Sequence, residues 1–174
     1  MDNLKELIKD TKTFGKYVTF WGSCFSNFYP CSFDLDGRTW NCSEQYFMYM
    51  KAKLFGDEEI AEKILQSHEA ADAKKLGRKV KNFDADTWSN ISRNIMYAAV
   101  YSKFSQNQDL KDALLYEGFA DKHFVEGNPF DKIWAVGLPW DNPLIGDERN
   151  WHGTNWLGKI LDEVREKLKE KATE

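Results

Sequence analysis

No run of apolar residues approaches the roughly 20 needed to span a bilayer, and the first ten residues alternate acidic and basic side chains. The chain therefore reads as lacking both a membrane anchor and a secretory leader, and it is expected to be cytoplasmic. Cysteine is sparse. Cys24, Cys31 and Cys42 are odd in number and too widely spaced for a C-x-x-C pair, which fits a reducing compartment and argues against disulfide or zinc staples. His68, His123 and His152 show no metal-ligand spacing, so no metal and no cofactor is expected. The standard phosphate loops, the dinucleotide fingerprint and the nucleophile elbow are all missing. Charge of one sign is missing too: 24 Lys and Arg stand against 28 Asp and Glu, a net charge of −4. A broad basic face for nucleic acid is excluded, though a small basic pocket is not.

What is present is aromatic. Seven Trp, seven Tyr and twelve Phe make up 15% of 174 residues, a supply of core area and of flat faces for stacking a ligand ring. The length suits one domain able to bury its own core. No repeat or low-complexity linker divides it, so residues 1–174 are expected to form a single unit with residues 1–15 peripheral.

The pattern along the chain predicts a helix-rich α+β domain with one small antiparallel element near the N-terminus. Residues 3–9 suit a short helix, and residues 16–21 are strand-like. Asp36-Gly37 tolerates positive φ at both positions and predicts a tight hairpin within residues 32–40. Helices are expected at 43–54, after Asp57, up to a glycine C-cap at Gly77, from Asp84 or Asp86 to about Phe104 with Trp88, Ile91, Ile95 and Ala99 at helical spacing, and after Asp109. Residues 123–140 read as short strand or loop. A Pro/Gly/Asp-rich loop at 139–153 precedes a last helix striped by Leu157, Ile160, Leu161, Val164 and Leu168.

Three segments carry candidate chemistry. In SEQYFMYMKAKLF, Glu44 and Lys51 lie two turns apart on one face, with Phe47 and Met48 between them. A carboxylate and an amine on an apolar face are costly unless paired or opening into a cleft. Desolvation there makes the amine more nucleophilic and the carboxyl a better proton donor. The plainer alternative has Asn41 as N-cap and Glu44 closing a capping box, with Lys51 snorkelling to solvent. In NPFDKIWAVG, Asp131 stands three residues before Trp134, placing a carboxylate near a ring or simply closing a turn. In WHGTNWLG, Thr154 or Asn155 is an ordinary N-cap whose neighbouring amides can hold a phosphate.

Taken in order, SNF (26–28), DGRTW (36–40), SEQYF-x-x-x-KA (43–52), AKKLGR (73–78), Trp88 with Arg93, Lys103-Phe104, D-x-x-W-x-x-G (131–137) and NWLG (155–158) resemble the NADAR/YbiA-like family over about residues 18–168. The resemblance implies an α+β fold and an N-glycosidase that breaks the bond between ribose C1 and a nitrogen. It implies a small nucleotide or ADP-ribosylated nucleic acid as substrate, such as an early phosphoribosylamino-pyrimidine intermediate of riboflavin synthesis or ADP-ribosylated guanine, with no membrane and no obligate protein partner. It places catalysis on Glu44, Lys51 and Asp131. Substrate contacts fall on Asn27, Arg78, Trp88, Arg93, Trp134, Gly137 and Asn155: a tryptophan stacks on the base, and Arg78 or Arg93 meets phosphate. Ala135 stands where many members have Gly, and Trp156 where many have a smaller residue.

Two mechanisms are compatible with those positions. Lys51 forms a Schiff base with C1 of an opened ribose while Glu44 shuttles the ring proton, or Glu44 and Asp131 act as a carboxylate pair on water. A different class of function, a module on the same fold that binds nucleotide or ADP-ribose without turnover, would need no such acid, amine and second carboxylate.

Overall fold

The computed structural model describes residues 2–172. In chain order its elements are α1 (Asp2–Leu7), β1 (Thr11–Phe14), β2 (Tyr17–Phe20), β3 (Phe33–Leu35), β4 (Arg38–Trp40), α2 (Ser43–Leu54), α3 (Glu58–Leu65), α4 (Ala70–Gly77), α5 (Ala85–Gln106), α6 (Gln108–Leu114), β5 (His123–Glu126) and α7 (Trp156–Ala172), with short 3-10 turns at Glu117–Phe119, Pro143–Gly146 and Glu148–Asn150. The class is α+β. The chain folds into two compact units, one made of the chain up to Ser26 and from Gln108 onward, the other of Asn27–Asn107.

The first unit is built on a three-stranded sheet ordered β1-β2-β5. β2 is the centre because all four of its residues are buried, and it pairs antiparallel with β1 and parallel with β5. The small antiparallel element expected near the N-terminus is present, and a parallel strand from later in the chain, which the sequence does not announce, is added beside it. β1 is largely exposed, so its TKTF carries no apolar alternation to betray it, and the parallel partner arrives from about 100 residues away. Phe20, Phe25, Phe119 and Phe124 form an aromatic cluster beneath the sheet, the closest pair being Phe25 and Phe124 at 4.7 Å between centroids. Its other wall is α7, where Leu157, Ile160, Leu161, Val164 and Leu168 are buried as the stripe predicts.

Asn155 and Gly158 seat α7 on β5. Asn155 holds φ at 53° and is buried; its amide accepts from Glu126 N–H at 3.1 Å and donates to Phe124 O at 2.9 Å. A Cβ on Gly158 would lie 2.0 Å from the Phe124 carbonyl oxygen. Backbone cannot retreat as a flexible side chain does, so Gly158→Ala is expected to lower stability by about 2–4 kcal/mol, read as a lower urea midpoint at an unchanged slope.

The second unit begins with the β3–β4 hairpin. Asp36 and Gly37 turn it with φ of 53° and 73°, as their sequence predicts, and Phe33 pairs with Trp40, both buried. Four helices follow, with α2 packed against α3, α4 and α5. Asp57 caps α3 through Ile60 N–H, and Asp84 caps α5 through Thr87 N–H. Along α5 the expected inward stripe holds at Ile95 and Ala99, but Ile91 is exposed. Asp109 does not cap α6: the helix starts one residue earlier, at Gln108, and the Asp109 carboxylate accepts from Leu110 N–H inside the first turn.

Candidate active site

The start of α2 decides what Glu44 is for. Cys42, with extended backbone at φ −171°, is the N-cap, and its Sγ accepts from Gln45 N–H at 3.4 Å. Gln45 then completes the reciprocal arrangement: its Oε1 accepts from Asn41 N–H at 2.9 Å. Its Nε2 donates to Ile64 O and Ser67 O at 3.1 and 3.3 Å, clasping the end of α3. The capping box expected from Asn41 and Glu44 is thus displaced by one residue. Asn41 turns its own amide to Ser67 O instead. Glu44 lies in the first turn, 7% exposed, with its N–H donated to Asn27 O at 3.1 Å, while the cap bonds are made by Cys42 and Gln45.

Lys51 follows two turns later, half-buried. Burial pushes its pKa below the usual 10.5. Glu44 opposes that shift and the Arg78 guanidinium, at the end of α4, reinforces it. Glu44, Lys51 and Arg78 are therefore electrostatic neighbours, and the amine is neutral more often than an ordinary lysine's. Its Nζ lies 4.4 Å from the centroid of Phe83.

The apolar face between acid and amine is built by close packing. Phe47 meets Trp88 of α5 at 4.8 Å, so one face of the half-buried indole is taken by the core. Met48 packs on Gly77, where a Cβ would come 2.0 Å from its Sδ. That corrects the expected left-handed C-cap: Gly77 is the last residue of α4, lacks a positive φ, and serves close approach rather than chain reversal. Beside Glu44, Asn27 is 8% exposed. Among the described residues, Asn27 Oδ1 and Ser43 Oγ are buried and make no hydrogen bond. Arg93 is exposed on α5.

Asp131, Trp134, Gly137 and Asn155 belong to the other unit. Asp131 Oδ1 accepts from both Ile133 N–H and Trp134 N–H at 2.9 Å, so the turn reading of this carboxylate holds for that oxygen. Trp134 is half-buried and its carbonyl accepts from Leu157 N–H at 3.1 Å. Gly137 has φ +72° and meets His152 Cβ, a turn that favours glycine. The amides of Thr154, Asn155, Trp156 and Leu157 donate to the carbonyls of Lys132, Ala135, Ile133 and Trp134. The phosphate site expected at that helix entry is excluded, because its donors are spent on the 132–135 segment.

Of the ten site residues expected from sequence, the unit Asn27–Asn107 thus contains Asn27, Glu44, Lys51, Arg78, Trp88 and Arg93, and the first, second, third and fourth of these are linked by the contacts above. Phe83 was not foreseen. Asn82, a residue tolerant of positive φ, followed by an aromatic and a helix-capping Asp, was the available signal.

A family model described as the NADAR domain matches residues 18–169. The protein irg-1 of Caenorhabditis elegans is 44% identical, over 87% of this chain and 79% of its own. The N-glycosidase R617 of Acanthamoeba polyphaga mimivirus is 38% identical, over 87% of this chain and 95% of that protein. The NMR structure of the E. coli protein YbiA, named an N-glycosidase, matches with a TM-score of 0.76 at 27% identity, covering 98% of this chain and 95% of that one.

Proposed function

The chain belongs to the NADAR domain family, and from that premise we propose that it is a hydrolase of N-glycosyl bonds, cutting between C1 of a ribose and a nitrogen of a base. One observation carries the reading: a half-buried lysine of lowered basicity stands two helical turns from a buried glutamate that the helix does not need for capping. A domain that only binds nucleotide has no use for an amine held toward its neutral form.

Lys51 is the nucleophile and Glu44 the proton shuttle. Protonated Glu44 gives its proton to the ribose ring oxygen as the C1–O bond breaks, while the base nitrogen's lone pair forms a C1=N iminium. Neutral Lys51 adds its Nζ lone pair to C1. The aminal collapses: a proton passes from Nζ to the base nitrogen, the C1–base bond breaks, and the base leaves as an amine. Lys51 keeps the sugar as an iminium. Water adds to C1 and gives one proton back to Glu44; its remaining hydroxyl proton passes to Nζ as the C1–Nζ bond breaks and the C1=O bond forms, which frees the sugar as its open aldehyde and Lys51 as the neutral amine.

Supporting roles follow from placement. Asn27, beside Glu44, suits a ribose hydroxyl, and Arg78, exposed at the end of α4, suits a phosphate. Arg93 offers a second guanidinium on α5. Trp88 offers its remaining face to the base. Asp131 is assigned to shaping the turn that carries Trp134, and Gly137 and Asn155 to holding that turn and the start of α7 in place.

The substrates that fit are a ribose phosphate joined to an amino-pyrimidine, as in early riboflavin intermediates, and ADP-ribose joined to guanine in nucleic acid. Incubation with each, reading release of free base by chromatography, is expected to show turnover of at least one. Tight binding of both without release would place the protein among non-catalytic binders.

A further inference from the structure

We propose that Phe83 is the positioning residue for Lys51, its ring face holding the positive charge of Nζ both as the resting ammonium and as the iminium that follows base release. The proposal rests on the reading of Lys51 as nucleophile. Its geometry is independent of that reading.

The ring lies 4.4 Å from Nζ, well inside the range in which an aromatic face attracts a cation. Phe83 is nevertheless 46% exposed, an arrangement that forgoes much of the gain of burying a phenyl group. The loop between α4 and α5 holds it there. Val80 is buried, Lys81 N–H donates to Asp57 Oδ2 at 2.9 Å, and Asp84 Oδ1 accepts from Thr87 N–H at 2.7 Å, so both ends are fixed. Between them Asn82 takes φ of 58°, a left-handed conformation that few side chains adopt readily. Phe55 braces the ring edge-on at 5.3 Å. Loop and brace together present an aromatic face to an amine at the edge of solvent. A fold that sought only burial would turn that ring inward.

The chemistry gives the face a purpose. Lys51 attacks as a neutral amine, but the bond it forms leaves a cation at the same nitrogen. A π face that holds Nζ through both charged forms keeps the nitrogen in place and stabilises the iminium without offering a base that would quench it. The charged groups acting on Lys51 within this unit are Glu44 on α2, which favours its cation, and Arg78 after α4, which disfavours it. Lys81 and Asp84 flank Phe83 in the loop, both exposed. Phe83 adds to the side of Glu44.

Phe83→Leu keeps an apolar side chain and removes the π face. It is expected to lower the pKa of Lys51 by about half a pH unit. That shift is read directly as the NMR titration of the Lys51 side chain in the free protein. kcat on the plateau is expected to fall about two- to fivefold, and Phe83→Tyr to restore both. Because the ring is half exposed, the Leu variant should melt near wild type, and the NMR titration stands whatever its activity. If Lys51 titrates identically in wild type and Phe83→Leu while wild type still yields a reducible sugar adduct on Lys51, Phe83 has no positioning role and the nucleophile assignment survives. If wild type yields no such adduct, the nucleophile assignment fails and takes this role with it.

Discussion

Lys51→Met is expected to slow base release by at least about 10³-fold while leaving the fold intact. Removing a covalent nucleophile removes the intermediate itself, and losses of this order or more are usual when such a residue is deleted. Methionine matches the aliphatic stem and carries no charge, so the change also relieves the burial of an ammonium. The sign of the pH dependence follows. The folded pKa of Lys51 lies below its unfolded value of 10.5, so between the two the unfolded chain binds more protons. The penalty is complete below the folded pKa and disappears as pH rises toward 10.5. Lys51→Met should therefore be no less stable than wild type at neutral pH, and should lack this alkaline gain. A thermal melt across pH beside a single-turnover assay separates the two effects. An equal loss of activity and stability would instead mark Lys51 as structural.

Glu44→Gln is expected to cost about 10²–10⁴ in kcat, the usual contribution of a positioned proton donor. Glutamine preserves shape, and the backbone bond from residue 44 to Asn27 O does not involve the side chain. The cap of α2 belongs to Cys42 and Gln45, so the helix is unaffected. The pH profile distinguishes the roles. In wild type the reacting form has Lys51 neutral and Glu44 protonated, so kcat/KM falls on both sides of an optimum. In Glu44→Gln the falling limb should vanish and the rising limb remain. A variant that keeps both limbs, or that releases base at the wild-type rate, removes Glu44 from the mechanism.

These assignments show where the sequence was a good guide. Local signals with one physical cause are legible: Asp36-Gly37 as a tight turn, Asp57 as a cap, and the five-residue stripe of α7, while of the two candidates Asp84 and Asp86 the structure selects Asp84 as the cap of α5. Signals with two competing causes were not resolved. In S-E-Q, either Glu44 or Gln45 can reach back to the chain before α2. Only tertiary structure decides, because Gln45 has the end of α3 to clasp. Gly77 has the same ambiguity between turn chemistry and close approach, settled by Met48 rather than by its neighbours in sequence.

Long-range features were invisible for a different reason. β5 pairs in parallel with β2 across most of the chain, and no local period announces a partner so remote. The amides before α7 looked open because the residues that consume them, 132–135, are a separate loop in the sequence. Phe83 carries no motif at all. Its significance appears only when its ring is seen over Lys51.

The central claim is that Lys51 bonds to the sugar. Wild-type protein turning over an N-ribosyl substrate in the presence of borohydride, followed by peptide mapping, tests it most directly. A reduced sugar on Lys51 Nζ, absent from Lys51→Met, is the predicted result. Undiminished base release with no sugar on Lys51 would contradict it and leave a direct attack by water as the chemistry of the site.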